Sequence, residues 1–295
     1  MENDEMTRRD FVTMTVAAGI AAAAGTNLTA QQKVTETNVN IKTTDGMCDA
    51  AFIHPVSGSH PGVVIWTDAF GLRPSMREMA RRLAAEGYSV LVPNPFYRVA
   101  KAPVWEDASN ISFSDPTFRA KLTPLMGSIN AEGAAERDAA AFIEWLDAQR
   151  EVDRSKKIGT QGYCMGGALV VRTAAAVPNR VGAGASFHGG GLVTANPNSP
   201  HLLAPKIKAR MYIAIATNDD MQQPDAKTKL KESFEAAKVP AEVEVYSQAQ
   251  HGWCVADMPK QANGQPIYNK PDADRAWGKL LALYKAALSA PAPKT

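Results

Sequence analysis

The chain has 295 residues, 45% of them hydrophobic and 21% charged, a balance that excludes a disordered or fibrous protein and allows one large domain. Its 32 Lys and Arg stand against 30 Asp and Glu, so the formal charge is +2 and neither nucleic acid nor an anionic membrane is implied as a partner. Three cysteines are too few for a disulfide scaffold, and their odd number leaves at least one thiol free within a single chain.

The N-terminus reads Thr7-Arg8-Arg9-Asp10-Phe11, followed by an Ala-rich apolar run from Val12 to Ala24. An arginine pair ahead of a weakly hydrophobic stretch resembles a twin-arginine export signal. The run is about a dozen residues, short of the ~20 that a membrane-spanning helix needs. Ala22-Ala23-Ala24 offers small residues for cleavage, and a cut as late as Ala30 fits equally well. Residues 1–30 are therefore expected to send the chain to the periplasm or otherwise out of the cytoplasm. Residues 31–295 are expected to form the working domain, with no stable membrane insertion once the signal is removed.

Val34 to Lys42 and Met47 to His54 flank Thr43-Thr44-Asp45-Gly46, where Asp-Gly predicts a hairpin. Val63-Val64-Ile65-Trp66 is almost wholly apolar, as a strand covered on both faces should be. A helix is predicted from Met76 to Glu86, stopped at Gly87, and a buried strand at Ser89-Val90-Leu91-Val92, ended by Pro93. The stretch from Asn94 to Ile129, rich in Pro and aromatics, reads as a loop with the composition of a lid. Helices follow at Ala131 to Gln149, Gly166 to Ala176, Asp225 to Lys238 and Asp272 to Ser289. Strands fall at Lys157 to Gln161, Val181 to Phe187, Met211 to Ala216 and Ala241 to Tyr246. This alternation predicts an α/β fold with a mainly parallel twisted sheet and helices on both faces. In such a sheet, ligands bind beyond the carboxyl ends of the strands.

Gly162-Tyr163-Cys164-Met165-Gly166-Gly167 joins a predicted strand to a predicted helix and has the nucleophile-elbow pattern with Cys in place of Ser. Its glycines suit a turn so tight that Cβ atoms would clash. The same turn sets Cys164 at a helix N-terminus, where exposed N–H groups favour a thiolate. The Met165 N–H is a natural oxyanion donor. Downstream, Asp219 and Asp220 end the strand through Ala216, and His251 follows the strand through Tyr246, the chain order nucleophile, acid, histidine. His251 is the candidate base toward Cys164. Asp219 is the preferred acid behind it, with Asp220 a competitor. Phe187-His188-Gly189-Gly190-Gly191 has the look of a lipase oxyanion motif but follows the nucleophile instead of preceding it. It is read as pocket lining, His188 being either a substrate contact or a structural histidine. The loop Thr67-Asp68-Ala69-Phe70-Gly71 should supply the second oxyanion N–H.

Taken together, Trp66-Thr67-Asp68-Ala69-Phe70-Gly71, Glu86-Gly87-Tyr88-Ser89-Val90-Leu91-Val92-Pro93, the elbow at residues 162–167 and His251-Gly252-Trp253 resemble the dienelactone hydrolase family over roughly Val34 to Leu288. The resemblance implies an α/β-hydrolase fold with no metal or organic cofactor and a small-molecule ester or lactone as partner. It also implies a Cys–His–Asp triad working through a thioester. By the same resemblance, Asp68 occupies the place of an acid that contacts the thiol and Ala69 that of the second oxyanion N–H; Trp66, Phe70, Tyr163, His188 and Trp253 are expected to line the pocket. The stretch after His251, Gly252-Trp253-Cys254-Val255-Ala256, lacks the arginine with which the enzyme that names the family is expected to grip a carboxylate, which points away from a dienelactone as substrate. The second reading is a binding or thiol-redox protein on a hydrolase scaffold, motivated by Cys48 and Cys254. The five scattered histidines show no metal-ligand spacing.

Overall fold

A computed structural model of the chain describes residues 32–112 and 114–289; the expected export signal at residues 1–30 lies outside them. The hairpin forms β1 (Val34–Thr43) and β2 (Gly46–Pro55), paired antiparallel with Thr43 opposite Gly46, so that Thr44 and Asp45 make the turn. The remaining strands are β3 (Gly62–Trp66), β4 (Ser89–Pro93), β5 (Ile158–Tyr163), β6 (Val181–Phe187), β7 (Arg210–Ala216) and β8 (Ala241–Tyr246). They make one sheet of order β1-β2-β4-β3-β5-β6-β7-β8. β2 meets β4 antiparallel, and every pairing from β4 through β8 is parallel.

Helices α1 (Pro74–Ala85) and α7 (Lys270–Leu288) cover one face of the sheet, where Met76, Leu83, Leu280 and Tyr284 pack with Ile65, Ala183 and Ala185. On the other face lie α2 (Pro116–Asn130), α3 (Ala134–Asp147), α4 (Met165–Ala176) and α6 (Ala226–Ala236), where Leu125, Phe142, Val170 and Leu230 pack with Val64 and Ile213. Strands buried on both faces have no polar side to show. This is why β3, β4 and β7 read as nearly unbroken apolar runs. The result is a mainly parallel α/β-hydrolase sheet, with an antiparallel edge formed by the hairpin. No helix among the described residues is long and apolar enough to cross a membrane.

The expected loop from Asn94 to Ile129 is corrected at its end, where α2 runs from Pro116 to Asn130. Asp115 caps the helix by accepting from the Thr117 N–H, Pro116 opens it, and Phe118, Leu125 and Ile129 are its buried side chains. Pro124 in its interior removes one N–H, which weakens the helical pattern without ending it. Two short elements escape any periodicity: a 3₁₀ helix at Pro200–Lys206, and α5 (Thr217–Gln222), which carries both candidate acids.

Candidate active site

Cys164 caps α4 at the carboxyl end of β5 with φ 53° and ψ −116°, a left-handed conformation that costs a non-glycine residue roughly 1–3 kcal/mol. The glycines around it have the steric task the sequence suggests. A Cβ on Gly162 would lie 2.2 Å from the Gly166 carbonyl oxygen, and one on Gly166 would lie 2.4 Å from that of Trp66. Met165 is the first residue of α4, so its N–H has no carbonyl one turn back to bond.

Asp219 stands on α5 just past β7, and His251 stands in the loop past β8. The two segments are sewn together by the Thr217 N–H to the Ala249 carbonyl (2.9 Å) and the His251 N–H to the Asn218 side-chain oxygen (2.8 Å). His251 Nδ1 lies 2.8 Å from Asp219 Oδ2 and 3.0 Å from Oδ1, which makes Nδ1 the donor and leaves Nε2 for a partner on the far side of the ring. The Cys164 side chain is the second group that acts on the ring. Burial alone would push the imidazole down. The hydrogen bonds to Asp219 and then to Cys164 outweigh it and raise the ring to about 10. Asp220 instead holds Lys227 at 2.7 and 2.8 Å.

The loop after β3 is a tight turn in which Asp68 accepts from the Phe70 N–H through its side chain (2.9 Å) and from the Gly71 N–H through its carbonyl (3.0 Å). Ala69, the candidate oxyanion donor, is buried between them. Both Asp68 oxygens are taken by Arg73, at 2.7 and 3.0 Å, and Arg73 reaches Asp257 with its other edge, at 2.7 and 2.8 Å. Burial weakens the charge of Arg73, but the two carboxylates hold the guanidinium above its usual range. The acid expected at the thiol is thus part of an ion triplet that fixes the turn, with Asp68 and Arg73 buried and Asp257 at its partly exposed end.

The five residues expected to line the pocket are all buried, none more than 2% exposed. Trp66 donates from its indole to Thr173 (2.9 Å) and packs on Phe142. Phe70 meets Trp105 and Phe118. Tyr163 stacks on Phe187 and faces a cavity of about 490 Å³ between α1 and α7, away from α4. Trp253 stacks on Tyr246. The His188 ring stands edge-on to those of His251 and Trp253, with centroids 4.8 and 5.2 Å away, and its Nδ1 accepts from the Cys164 N–H at 3.1 Å. Burial, and then the charge of His251, hold His188 well below its ordinary range. A cavity of about 160 Å³ beside Asp219 is lined by Gly189, Gly190, Leu192, Ile215 and Gln223 among others.

Asn218 and Arg73 were not among the expected site residues. Asn218 gave no signal beyond its place before two aspartates, and nothing in Leu72-Arg73-Pro74 marks a buried cation. All three cysteines carry free thiols. Cys48 and Cys254 pack into the cores on opposite faces of the sheet, so the sheet itself separates them, and burial pushes both thiols up. No group of His, Cys, Asp and Glu suited to a metal ion occurs among the described residues.

The sequence model of the dienelactone hydrolase family matches residues 48–288. The chain is 29% identical to a carboxymethylenebutenolidase of Rhodococcus opacus, over 71% of this chain and 77% of that protein. It is 24% identical to a putative carboxymethylenebutenolidase of Escherichia coli, over 77% and 78%. Among solved structures, a putative dienelactone hydrolase from Klebsiella pneumoniae superposes with a TM-score of 0.70 at 20% identity, covering 86% of this chain and 99% of that one.

Proposed function

This chain belongs to the dienelactone hydrolase family, and on that footing we propose that it is an exported, thiol-dependent hydrolase of carboxylic esters or lactones. The contact chain Asp219–His251–Cys164 carries the reading. Asp219 orients the imidazole and stabilises its cationic form, so the ring can take the proton of the attacking thiol and hand it on.

The Cys164 thiolate adds to the ester carbonyl carbon, and the carbonyl electron pair moves onto oxygen, where the Met165 and Ala69 N–H groups meet it. Collapse breaks the bond to the leaving oxygen, which takes the proton from His251 Nε2 and departs as an alcohol or enol. A thioester remains on Cys164. His251, now neutral, removes a proton from water, and the resulting hydroxide adds to the thioester carbon. The second collapse breaks the C–S bond, frees the acid, and restores thiolate and imidazolium. Asp219 orients the ring and balances its charge throughout. The Arg73 N–H groups are taken by two carboxylates and the Gly71 carbonyl, which leaves this arginine nothing with which to grip a substrate carboxylate.

The test is a panel of chromogenic aryl esters and lactones assayed with and without iodoacetamide, beside Cys164→Ala. Alkylation or the substitution should lower turnover by about 10³-fold or more. Parental rates in Cys164→Ala would reject the reading. For export, a reporter fused behind residues 1–30 should leave the cytoplasm, and the Arg8→Lys, Arg9→Lys pair should retain it.

A further inference from the structure

Phe187-His188-Gly189-Gly190 closes on Cys164 from both ends of that residue. The Cys164 N–H is shared between the Phe187 carbonyl oxygen and His188 Nδ1, each at 3.1 Å. The Cys164 carbonyl accepts from the Gly190 N–H at 3.1 Å, alongside the Gly167 N–H at 3.0 Å. The His188 N–H is anchored to the Ala214 carbonyl (2.8 Å) on β7, the strand that leads to Asp219. The approach of this corner to α4 is steric as well: a Cβ on Gly167 would lie 2.5 Å from the Gly189 Cα, and one on Gly189 would lie 3.2 Å from the Gly167 Cα. His188 itself has a φ of 41°, is fully buried, and has no hydrogen-bond partner at Nε2.

We propose that residues 187–190 form a clamp on the strained nucleophile backbone, with His188 as a positioning residue that fixes Cys164 through Nδ1 and stops the His251 ring with its edge. The inference rests on the hydrolase reading above. Only a neutral ring can serve, because an imidazolium has no acceptor at Nδ1 and would repel the cationic His251. The Nδ1 acceptor assigns the ring proton to Nε2. The clamp offsets the conformational cost of a left-handed cysteine, and it aligns sulfur and imidazole in a single corner.

Two variants separate the acceptor from the backbone requirement. Asn tolerates the left-handed region and its side-chain oxygen can accept from Cys164, whereas Gly tolerates that region but offers no acceptor. With p-nitrophenyl acetate, His188→Gly should lower kcat about 10²-fold while KM stays within about 3-fold, and Cys164 should react with iodoacetamide correspondingly more slowly. His188→Asn should recover about 10-fold or more of both losses. Gly and Asn variants that match each other, or both match the parent, overturn the clamp while leaving the hydrolase reading intact. An inactive parent protein, or Cys164→Ala at parental rate, overturns that reading and this inference with it. A further measurement does not depend on the Gly variant folding. In ¹⁵N-histidine spectra at pH 7, the ring that disappears in His188→Asn should carry an unprotonated Nδ1 and a protonated Nε2, and a protonated Nδ1 would overturn the proposal.

Discussion

Asp219 and Asp68 follow apolar strands, β7 and β3, and each sets both carboxylate oxygens on a basic side chain, yet the two pairs are suited to different work. Asp219 faces an imidazole, and the two side chains remain 24% and 27% exposed. Asp68 faces a guanidinium, and there the exposures are 1% and 0%. A guanidinium does not give up its proton in a protein, so the Asp68 pair is a fixed charge arrangement whose value lies in the shape of the turn it holds. An imidazole at the rim of the sheet exchanges protons with whatever reaches its other nitrogen. A carboxylate at a strand end therefore tells little about chemistry until its partner is known.

The contrast can be broken most forcefully at Asp219. Asp219→Asn removes the charge that fixes the His251 tautomer, and kcat on an aryl ester should fall by about 10⁴-fold with little change in the melting temperature. A loss under tenfold would mean that the partner of the imidazole is not what matters. At the other pair the expectation reverses. Arg73→Met strands Asp68 in the interior and should cost about 3–5 kcal/mol of stability by urea unfolding, while the folded fraction keeps its esterase activity within about tenfold. Adding Asp68→Asn should return part of the stability. An Arg73→Met protein as stable as the parent would show that the triplet is not a structural fixture.

A pH series sharpens the comparison, because only one of the two cations titrates in an accessible range. The folded-state value of His251 is raised to about 10, above the unfolded imidazole near 6.5. Its contribution to stability is therefore fully present below about pH 6.5 and is lost as pH climbs through about 10. Parent and His251→Gln should differ most in urea at pH 6 and least at pH 10.5. A difference that stays constant across this range would contradict the coupling.

How much of this was legible in the sequence varies from residue to residue. β3 and β6 could be read because a strand buried on both faces is an apolar run, and the turn at Cys164 because Gly162 and Gly166 leave no room for Cβ atoms. α2 reads as loop, since Pro124 interrupts its interior and its buried residues are few and widely spaced. The Arg73 triplet could not be read at all, because Asp257 lies 184 residues from the arginine and no local pattern announces a buried charge. His188 stood out by its glycines. Its use followed only when the carboxyl ends of β5 and β6 were brought side by side.

The choice between Asp219 and Asp220 stayed open for a geometric reason, and it supplies the mildest prediction. Adjacent residues on a helical turn point about 100° apart, so once α5 forms, one of them can face the imidazole and the other must face elsewhere. Asp220 turns to Lys227, a pair with side chains 20% and 35% exposed, and such partly solvated pairs contribute about 0–1 kcal/mol. Asp220→Asn should accordingly lower kcat by no more than about 3-fold and shift urea stability by less than about 1 kcal/mol. Measured beside Asp219→Asn on the same ester, it isolates the direction of the carboxylate from its mere presence in the loop. Equal losses in the two variants would mean that the local negative charge, and not its hydrogen bond to His251, is what the site requires.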